Sequence, residues 1–237
     1  MKTVAIILAA GSGKRFGSET PKQFLKVSGK PLLAHTIQRF EDTDEVDEIF
    51  VVAAEMQMEF VREKIIEMNC FAKVTRVIAG GATRAESTRN ALAELPDDTT
   101  LVAVHDGARP LVAPSDIAQV IRVAENTKAA VLVSPVSDTI KLVETSMIIE
   151  TVDRTTLFSA TTPQVFDREL LLEAHDSFPA EDTSTDDSLV VERYGVKPQI
   201  VKAEYPNPKV TMALDLELVK VLLKKEAQQL KELKEVR

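Results

Sequence analysis

Short apolar runs alternate with amphipathic stretches through about the first 135 residues of the chain. A short run of consecutive apolar residues suits a strand that is buried on both faces, as in a parallel sheet covered by helices. The alternation predicts an α/β fold with a mostly parallel, doubly wound (Rossmann-like) sheet. The predicted strands are Val4–Leu8, Glu48–Ala53, Val74–Ile78, Leu101–Val104 and Ala130–Val133.

Helical patterns occupy the segments between and after these strands. Apolar residues recur every three or four positions from Met58 to Met68, and Pro114–Val123 and Leu170–Ala174 have the same character. Thr83 and Glu86 form a capping box that predicts a helix start, and Pro96 ends that helix. A short strand near residue 200 precedes a final helix, whose predicted core face is Leu216, Val219, Leu223, Ala227 and Leu230.

The composition excludes several classes of protein. The 237 residues, 44% of them hydrophobic and 28% charged, suit one domain spanning residues 1–237. A net charge of −8 without a basic tract argues against nucleic acid as a partner. The single cysteine, Cys70, excludes an intramolecular disulfide and is expected to be buried. With no secretory signal and no apolar run of ~20 residues, we predict a cytoplasmic protein without a membrane partner.

A glycine-rich turn follows the first predicted strand. Residues 9–17 read AAGSGKRFG, and residues 20–23 read TPKQ. Glycine lets an anion approach the backbone N–H groups closely, because no Cβ stands in the way. Arg15 and Lys22 supply the positive charge that a polyphosphate requires. The turn therefore predicts a site for a nucleoside triphosphate, although solvated surface charges beside an ordinary turn are the simpler alternative.

Two known phosphate-binding patterns do not match this turn. A P-loop needs glycine at position 8 and serine or threonine at position 15, where the chain has Leu8 and Arg15. The dinucleotide fingerprint needs its third glycine one residue before Gly17. Neither γ-phosphate hydrolysis nor nicotinamide-cofactor binding is therefore the favoured interpretation.

Polar clusters also follow the third and fourth predicted strands, and ligands of open α/β sheets bind at the carboxyl ends of strands. Gly80 and Gly81 lead to Arg84 and Ser87 at a helix start, where N–H groups suit an anion or the edge of a base. The second cluster, at residues 105–110, reads HDGARP.

Asp106 in the second cluster can hold a ribose hydroxyl or a hydrated Mg²⁺ beside phosphates. The alternatives are a plain Asp-Gly turn for Asp106 and Gly107 and a salt bridge for Arg109. His105 is interpreted as a hydrogen-bonded structural residue.

The strand–helix rhythm stops near residue 135. Val136–Thr151 contains two β-like runs around the polar turn Glu144-Thr145-Ser146, which predicts a β-hairpin inserted into the α/β domain. An isolated hairpin is marginally stable in water, so it is expected to pack on another surface, such as a second subunit.

Several segments stand in a characteristic order along the chain. They are residues 8–15, Pro21-Lys22-Gln23, residues 104–110, Asp138-Thr139, Val152-Asp153-Arg154, Thr162-Pro163-Gln164 and Lys209-Val210-Thr211. Together they resemble the 2-C-methyl-D-erythritol 4-phosphate cytidylyltransferase family. The resemblance implies a glycosyltransferase-A-like nucleotidyltransferase fold, a homodimer and a β-arm, here residues 136–156, exchanged between subunits. The implied reaction uses CTP, a polyol phosphate and Mg²⁺, and it releases pyrophosphate in non-mevalonate isoprenoid biosynthesis.

The resemblance also implies a role for individual residues. Asp106 would contact the ribose and lie close to the metal, directly or through water. The cations Arg15, Lys22 and Lys209 would surround the triphosphate and the transition state. Cytosine and ribose would be held by Ala9, Ala10, Gly11, Gly81, Ser87 and Gly107.

The acceptor's phosphate would be held by Thr139 and Arg154 of the neighbouring subunit, supported by Arg109 and Thr211. Ser137 departs from the family, in which an arginine is common at that position. A related cytidylyltransferase for ribitol 5-phosphate stays an alternative; a nicotinamide-dependent oxidoreductase and a catalytically silent homologue are more remote ones.

Overall fold

The computed structural model describes residues 1–11, 16, 21–179 and 184–235. The strands are β1 (Thr3–Leu8), β2 (Lys26–Val27), β3 (Lys30–Pro31), β4 (Glu48–Ala53), β5 (Val74–Ala79), β6 (Leu101–Asp106), β7 (Ala129–Pro135), β8 (Ile140–Glu144), β9 (Met147–Val152), β10 (Phe158–Asp167) and β11 (Gln199–Lys202). The α-helices are α1 (Leu32–Glu41), α2 (Met58–Phe60), α3 (Arg84–Leu92), α4 (Pro114–Thr127), α5 (Arg168–Asp176), α6 (Asp187–Tyr194) and α7 (Ala213–Glu235).

Seven strands from the described residues form one sheet, in the order β11-β7-β10-β6-β1-β4-β5. β1 pairs in parallel with β4 on one side and with β6 on the other. The chain moves outward from β1 to β5 and then crosses back to β6, so the strand order reverses at β1. Doubly wound sheets bind their ligands at such a reversal. The predicted mostly parallel α/β fold is confirmed.

All five predicted strands are present, and the fourth is longer than predicted. β6 continues through His105 to Asp106, so these two residues lie in the strand and not after it. The register pairs Asp106 with Leu8, the last residue of β1. The acid therefore stands directly beside the start of the glycine-rich turn.

β10 was not predicted. It runs antiparallel between β6 and β7, with an irregular register between Ala160 and Gln164. Buried Thr161, Thr162 and Gln164 interrupt its apolar pattern, which is why the sequence shows no strand signal there.

Helix ends differ modestly from the sequence expectations. Thr83 accepts a hydrogen bond from the Glu86 N–H as the capping box predicts, but the Glu86 carboxylate reaches the N–H of Ala82 instead of Thr83. The segment predicted from Met58 to Met68 combines 3-10 turns at Glu55–Gln57, α2, and a π-helical stretch at Val61–Glu67. On α7, Leu216, Val219 and Leu223 are buried as predicted and Ala227 is exposed, while the side chain of Leu230 lies outside the described ones.

The expectation that Cys70 is buried was wrong. Cys70 is exposed and has a φ of 54°, because it lies in the turn where the helical segment ends before β5. Among the residues described above, no helix combines the length and apolar character needed to cross a bilayer.

The predicted hairpin is present as β8 and β9, which pair only with each other in the described sheets. Its apolar side chains point into solvent: Leu142 is 51% exposed and Ile148 is 64% exposed. Residues 136–156, which contain this hairpin and the 3-10 turn Arg154–Thr156, are called the arm below.

Candidate nucleotide site

A cavity of about 590 Å³ opens at the carboxyl ends of β1 and β6. Its volume is in the range of ordinary small-molecule sites. Most of the residues predicted for nucleotide binding meet there. The described lining residues are Leu8, Ala9, Ala10, Gly11, Lys22, Gln23, Gly81, Ala82, Thr83, Arg84, Ser87, Asp106, Gly107, Ala108, Lys209 and Thr211.

The turn after β1 is held from behind by Gln23. The amide Nε2 of this buried side chain donates to the carbonyls of Ala9 at 2.8 Å and Gly11 at 3.3 Å. Residues 12–15 lie outside the described residues, so the predicted Arg15 is not placed. With Gln23 occupying two carbonyls of the turn, the described part of the turn is fixed in one orientation at the cavity wall.

Gly80 lets the loop after β5 approach the turn after β1. A Cβ at Gly80 would lie 2.3 Å from the Cβ of Ala10 and 3.1 Å from Ser87 Oγ. Ser87 Oγ in turn accepts from the Gly81 N–H at 3.1 Å and donates to the Thr83 carbonyl at 2.9 Å. Glycine at position 80 therefore brings two loops together to form one wall of the cavity.

Asp106 is surrounded by three cations. Its Oδ2 lies 3.0 Å from Lys209 Nζ and 3.2 Å from Arg109 Nε, and its Oδ1 lies 3.9 Å from Arg84 Nε. Burial alone raises the pKa of this carboxyl, but the charges of Lys209, Arg84 and Arg109 outweigh burial and hold the pKa well below its usual range. Asp106 is therefore ionised throughout the neutral range.

Arg84 is fixed by a second acid. Its Nη1 donates to Asp187 Oδ2 at 2.7 Å, and Asp187 Oδ1 also contacts His175 Nε2 at 3.1 Å. Burial raises the pKa of Asp187, but the charge of Arg84 and the hydrogen bonds with His175 and Arg84 together outweigh burial and lower the pKa overall. This buried network, from the first residues of α3 and α6, holds the guanidinium of Arg84 at the cavity wall.

Lys22 and Lys209 reach the cavity from distant parts of the chain. Lys22 Nζ donates to the carbonyl of Val210 at 2.7 Å, beside Lys209. Thr211, next in this segment, donates through both its N–H and its Oγ1 to Asp215, at 2.7 and 2.8 Å. The structure thus brings Lys22, Lys209 and Thr211 to the lining of one cavity.

The remaining predicted residues lie outside the cavity lining. Arg109 is behind Asp106 and contacts it directly. Thr139 and Arg154 belong to the arm and are exposed, and Arg154 donates to the carbonyl of Ser137. Within this one chain, the two residues predicted to hold the acceptor are therefore not part of the cavity.

His105 fits its structural interpretation. It is fully buried, its ring packs on Phe40 with centroids 4.8 Å apart, and Nε2 lies 3.2 Å from the carbonyl of Arg109. Burial, the largest influence, lowers the pKa of His105 to about 3. A neutral imidazole packed beneath Asp106 supports the strand end and does not face the cavity.

Gln23, Arg84, Asn207 and Asp187 were not among the predicted site residues. Gln23 and Arg84 could have been found, since each stands within or beside a motif that the sequence already singles out. Asn207 and Asp187 act through contacts with residues far away in the chain, and no local pattern marks them.

The chain is similar to one family over nearly its whole length. The family profile described as 2-C-methyl-D-erythritol 4-phosphate cytidylyltransferase matches residues 3–225. A relative with that name from Endomicrobium trichonymphae is 42% identical over 226 residues, covering 94% of this chain and 100% of the relative. Another from Alkaliphilus oremlandii is 39% identical over 225 residues, covering 94% and 95%.

Solved structures agree with this similarity. The crystal structure of 4-diphosphocytidyl-2C-methyl-D-erythritol synthase from Anaerococcus prevotii superposes with a TM-score of 0.83 at 28% identity, covering 94% of this chain and 96% of that one. The crystal structure of 2-C-methyl-D-erythritol 4-phosphate cytidylyltransferase from Thermus thermophilus has a TM-score of 0.76 at 30% identity, covering 94% and 100%.

Proposed function

This chain belongs to the 2-C-methyl-D-erythritol 4-phosphate cytidylyltransferase family, and from that premise we propose how its cavity joins CTP to 2-C-methyl-D-erythritol 4-phosphate. The protein is a nucleotidyltransferase of isoprenoid biosynthesis. One observation carries the assignment of the reaction to this cavity. Two lysines from distant parts of the chain, Lys22 and Lys209, line it together with Asp106 and the turn after β1.

The reaction needs positioning more than it needs a nucleophilic side chain. An oxygen of the acceptor's phosphate attacks the α-phosphorus of CTP, and the new P–O bond forms as the bond to pyrophosphate breaks. The attacking oxygen is already anionic, so no enzyme side chain has to carry the cytidylyl group as a covalent intermediate. Catalysis then consists of aligning two anions and neutralising the charge that collects between them.

The cations supply that neutralisation. Lys22 Nζ contacts the Val210 carbonyl at 2.7 Å, and Lys209 Nζ contacts Asp106 at 3.0 Å. A triphosphate offers each ammonium a more strongly charged acceptor, so both groups would turn toward phosphate oxygens without a movement of the backbone. We assign Arg15 to the same task on the resemblance of the turn that contains it.

Asp106 has a different task, which is to hold the ribose and a magnesium ion, directly or through water. The residues present fit the ion: Asp106 is the only carboxylate among the described lining residues, and Arg84 Nε, 3.9 Å from its Oδ1, is beyond hydrogen-bond distance. Magnesium is typically held by one or two carboxylates together with substrate phosphates and waters. When bound, the ion would add positive charge beside the phosphates.

The nucleoside would be held mainly by backbone groups. We propose that Ala9, Ala10 and Gly11 contact cytosine and ribose from one wall and that Gly81 and Ser87 do so from the other. Gly107 would contact the ribose beside Asp106. The close packing of Gly80 against Ala10 supports this proposal, since it fixes the spacing between the two walls.

The binding site for the acceptor would be completed by a second copy of the chain. Thr139 and Arg154 lie on the exposed arm, whose apolar side chains gain no burial within one chain. We propose a homodimer in which the arm of one subunit brings both residues to the cavity of the other. In such a dimer the apolar surface of the hairpin would be buried.

The substrate assignment is tested by pyrophosphate release from each of the four nucleoside triphosphates, with either methylerythritol phosphate or ribitol 5-phosphate as acceptor. We expect turnover with CTP and methylerythritol phosphate only. Turnover with ribitol 5-phosphate would instead favour the related polyol specificity. Absence of pyrophosphate in every combination would indicate a silent homologue, and binding of NAD(H) would reopen the oxidoreductase alternative.

The shared site is tested by mixing two inactive variants. Lys22→Ala damages the cavity and Arg154→Ala damages the arm, so a mixed dimer would contain one intact site. After subunit exchange, about a quarter of the wild-type sites would be restored on statistical grounds. No recovery of activity in a sample shown by sedimentation to contain mixed dimers would contradict the proposal.

A further inference from the structure

We propose that Asn207 is a positioning residue for the transfer reaction: it fixes the segment 203–212, which carries Lys209, against the strand end that carries Asp106. The inference rests on the role proposed above for Lys209. It adds a residue that touches neither the cavity lining nor the reacting groups.

The side chain of Asn207 forms the first link. It is only 5% exposed, and its Nδ2 donates to the carbonyl of Thr162 at 2.8 Å. Thr162 lies on β10, and its Oγ1 accepts from the backbone N–H of Asp106 at 3.1 Å. Asn207 and Asp106 are therefore both attached to Thr162.

The backbone of Asn207 forms the second link. Its carbonyl accepts from Arg109 Nη1 at 2.7 Å, while Nε of the same guanidinium lies 3.2 Å from Asp106 Oδ2. One planar, rigid group thus spans the distance from the segment to the acid. Two independent connections, through Thr162 and through Arg109, end at Asp106.

These connections matter because the segment has no regular structure of its own. Residues 203–212 form neither helix nor strand between β11 and α7. The hydrogen bond from the Val210 N–H to the Ala108 carbonyl, at 2.9 Å, holds the segment directly after Lys209. Asn207 holds the segment before Lys209, so Lys209 stands between two anchors.

A lysine side chain is flexible, and its ammonium is directed by where its backbone is held. A displacement of about 1 Å in a positioned group can cost roughly a hundredfold in rate. Removing the side chain of Asn207 breaks the link to Thr162 and leaves only the backbone link to Arg109, so Lys209 would be held less firmly beside Asp106 and the triphosphate. The expected result is a slower chemical step with the cavity otherwise intact.

The experiment is a double-mutant cycle on kcat and on the KM for CTP, using Asn207→Ala, Lys209→Ala and the double variant in the pyrophosphate assay. We expect Asn207→Ala to lower kcat by about tenfold to a hundredfold. In the Lys209→Ala background the same change should lower kcat by less than about twofold, because the residue through which it acts is already gone.

Asn69→Ala serves as the matched control. Asn69 also donates through Nδ2 to a backbone carbonyl, that of Ile65 at 2.7 Å, but it precedes β5 and lies at the opposite edge of the sheet. This variant should lower Tm while leaving kcat within about twofold of wild type. It separates a loss of stability from a loss of positioning.

Equal loss from Asn207→Ala in both backgrounds, or no loss in either, would overturn the inference. If Asn207→Ala does not fold, Asn207→Asp keeps the shape and removes the donor to Thr162, and the same coupling is measured with it. The proposed function fails separately: it fails if Lys209→Ala alone keeps wild-type turnover.

Discussion

The carboxyl edge of the sheet and the arm are stabilised in opposite ways. At the edge, Asp106, Arg109 and Lys209 contact one another, and buried residues beneath them fix their backbone. In the arm, β8 and β9 pair only with each other among the described strands, and Leu142 and Ile148 lie in solvent. The edge is ordered by contacts within one chain, whereas the arm exposes apolar surface that one chain does not cover.

This difference separates two kinds of experiment. A substitution at the edge changes the charge or shape of the cavity in every molecule, so its effect appears directly in turnover. A substitution on the apolar face of the arm removes few contacts within the chain, so its effect should appear only through a second copy. The predictions below test each half of this comparison.

The largest effect is expected from Lys22→Ala. Removing one preorganised cation from the transition state costs typically 10²–10³-fold in kcat, so we expect a loss of about that size. Lys26→Ala is the matched control, because Lys26 is exposed and absent from the cavity lining. Near-normal turnover of Lys22→Ala, measured by pyrophosphate release, would refute the mechanism.

A substitution in the cavity wall should act mainly on nucleotide binding. In Gly80→Ala the added Cβ would lie 2.3 Å from the Cβ of Ala10 and push the turn after β1 toward the cavity. We expect the KM for CTP to rise by about tenfold. Adding Ala10→Gly removes the opposing atom and should restore most of the affinity; a double variant as weak as the single one would exclude this steric explanation.

Acid should destabilise the edge through His105. Its pKa is lowered to about 3 in the folded chain, so between that value and the ordinary 6.5 the unfolded state binds more protons. Stability contributed by neutral His105 is therefore complete above about pH 6.5 and is lost as the pH falls toward 3. Between pH 7 and pH 5 the loss is about 2 kcal/mol.

His105→Phe isolates this contribution, because it keeps an aromatic ring against Phe40 and removes the titration. Burial also lowers the pKa of His35, so some loss with the same sign remains in the variant. The measurement is the free energy of urea unfolding at pH 7, 6 and 5. An equally steep pH dependence in wild type and variant would contradict the assignment.

The smallest effect on the stability of the monomer is expected from a substitution in the arm. Ile148→Ser replaces a side chain that is 64% exposed, and surface substitutions usually change the free energy of unfolding by less than about 0.5 kcal/mol. We expect the stability of the dilute monomer to be unchanged while sedimentation shows weaker self-association. A large loss of monomer stability would show that the arm packs on its own chain.

The pattern of apolar residues predicted the strands whose side chains pack in the core. β1, β4, β6 and β7 were found because each is a run of mostly buried side chains. β5 lies at the edge of the sheet and is less buried, but its apolar residues Val74 and Val77 still pack against the core. β10 was missed because its strand character depends on distant partners. Gln164, for example, donates to Asp186 at 3.0 Å and accepts from the Ser188 N–H at 2.9 Å, and no local period reveals such bonds.

Several residues that line the cavity were likewise singled out by motifs in the sequence. Lys22, Asp106 and Lys209 stand in recognisable segments, and the structure brings them together. Asn207 and Asp187 have no such segment, because each is defined by the residue it holds and not by its neighbours in the chain. Sequence patterns thus singled out residues that line the cavity, but not the residues that support them.

The distance in sequence between Lys22 and Lys209 determines when the cavity can be completed during translation. Chains emerge from the ribosome amino end first, at about 5–20 residues per second. β1, β4, β5 and β6 can pair before the segment containing Lys209 has been made, since all four precede residue 107. A nascent chain would therefore have the cavity walls and Asp106 without the second lysine, and its capacity for transfer would appear only after residue 209 has been made.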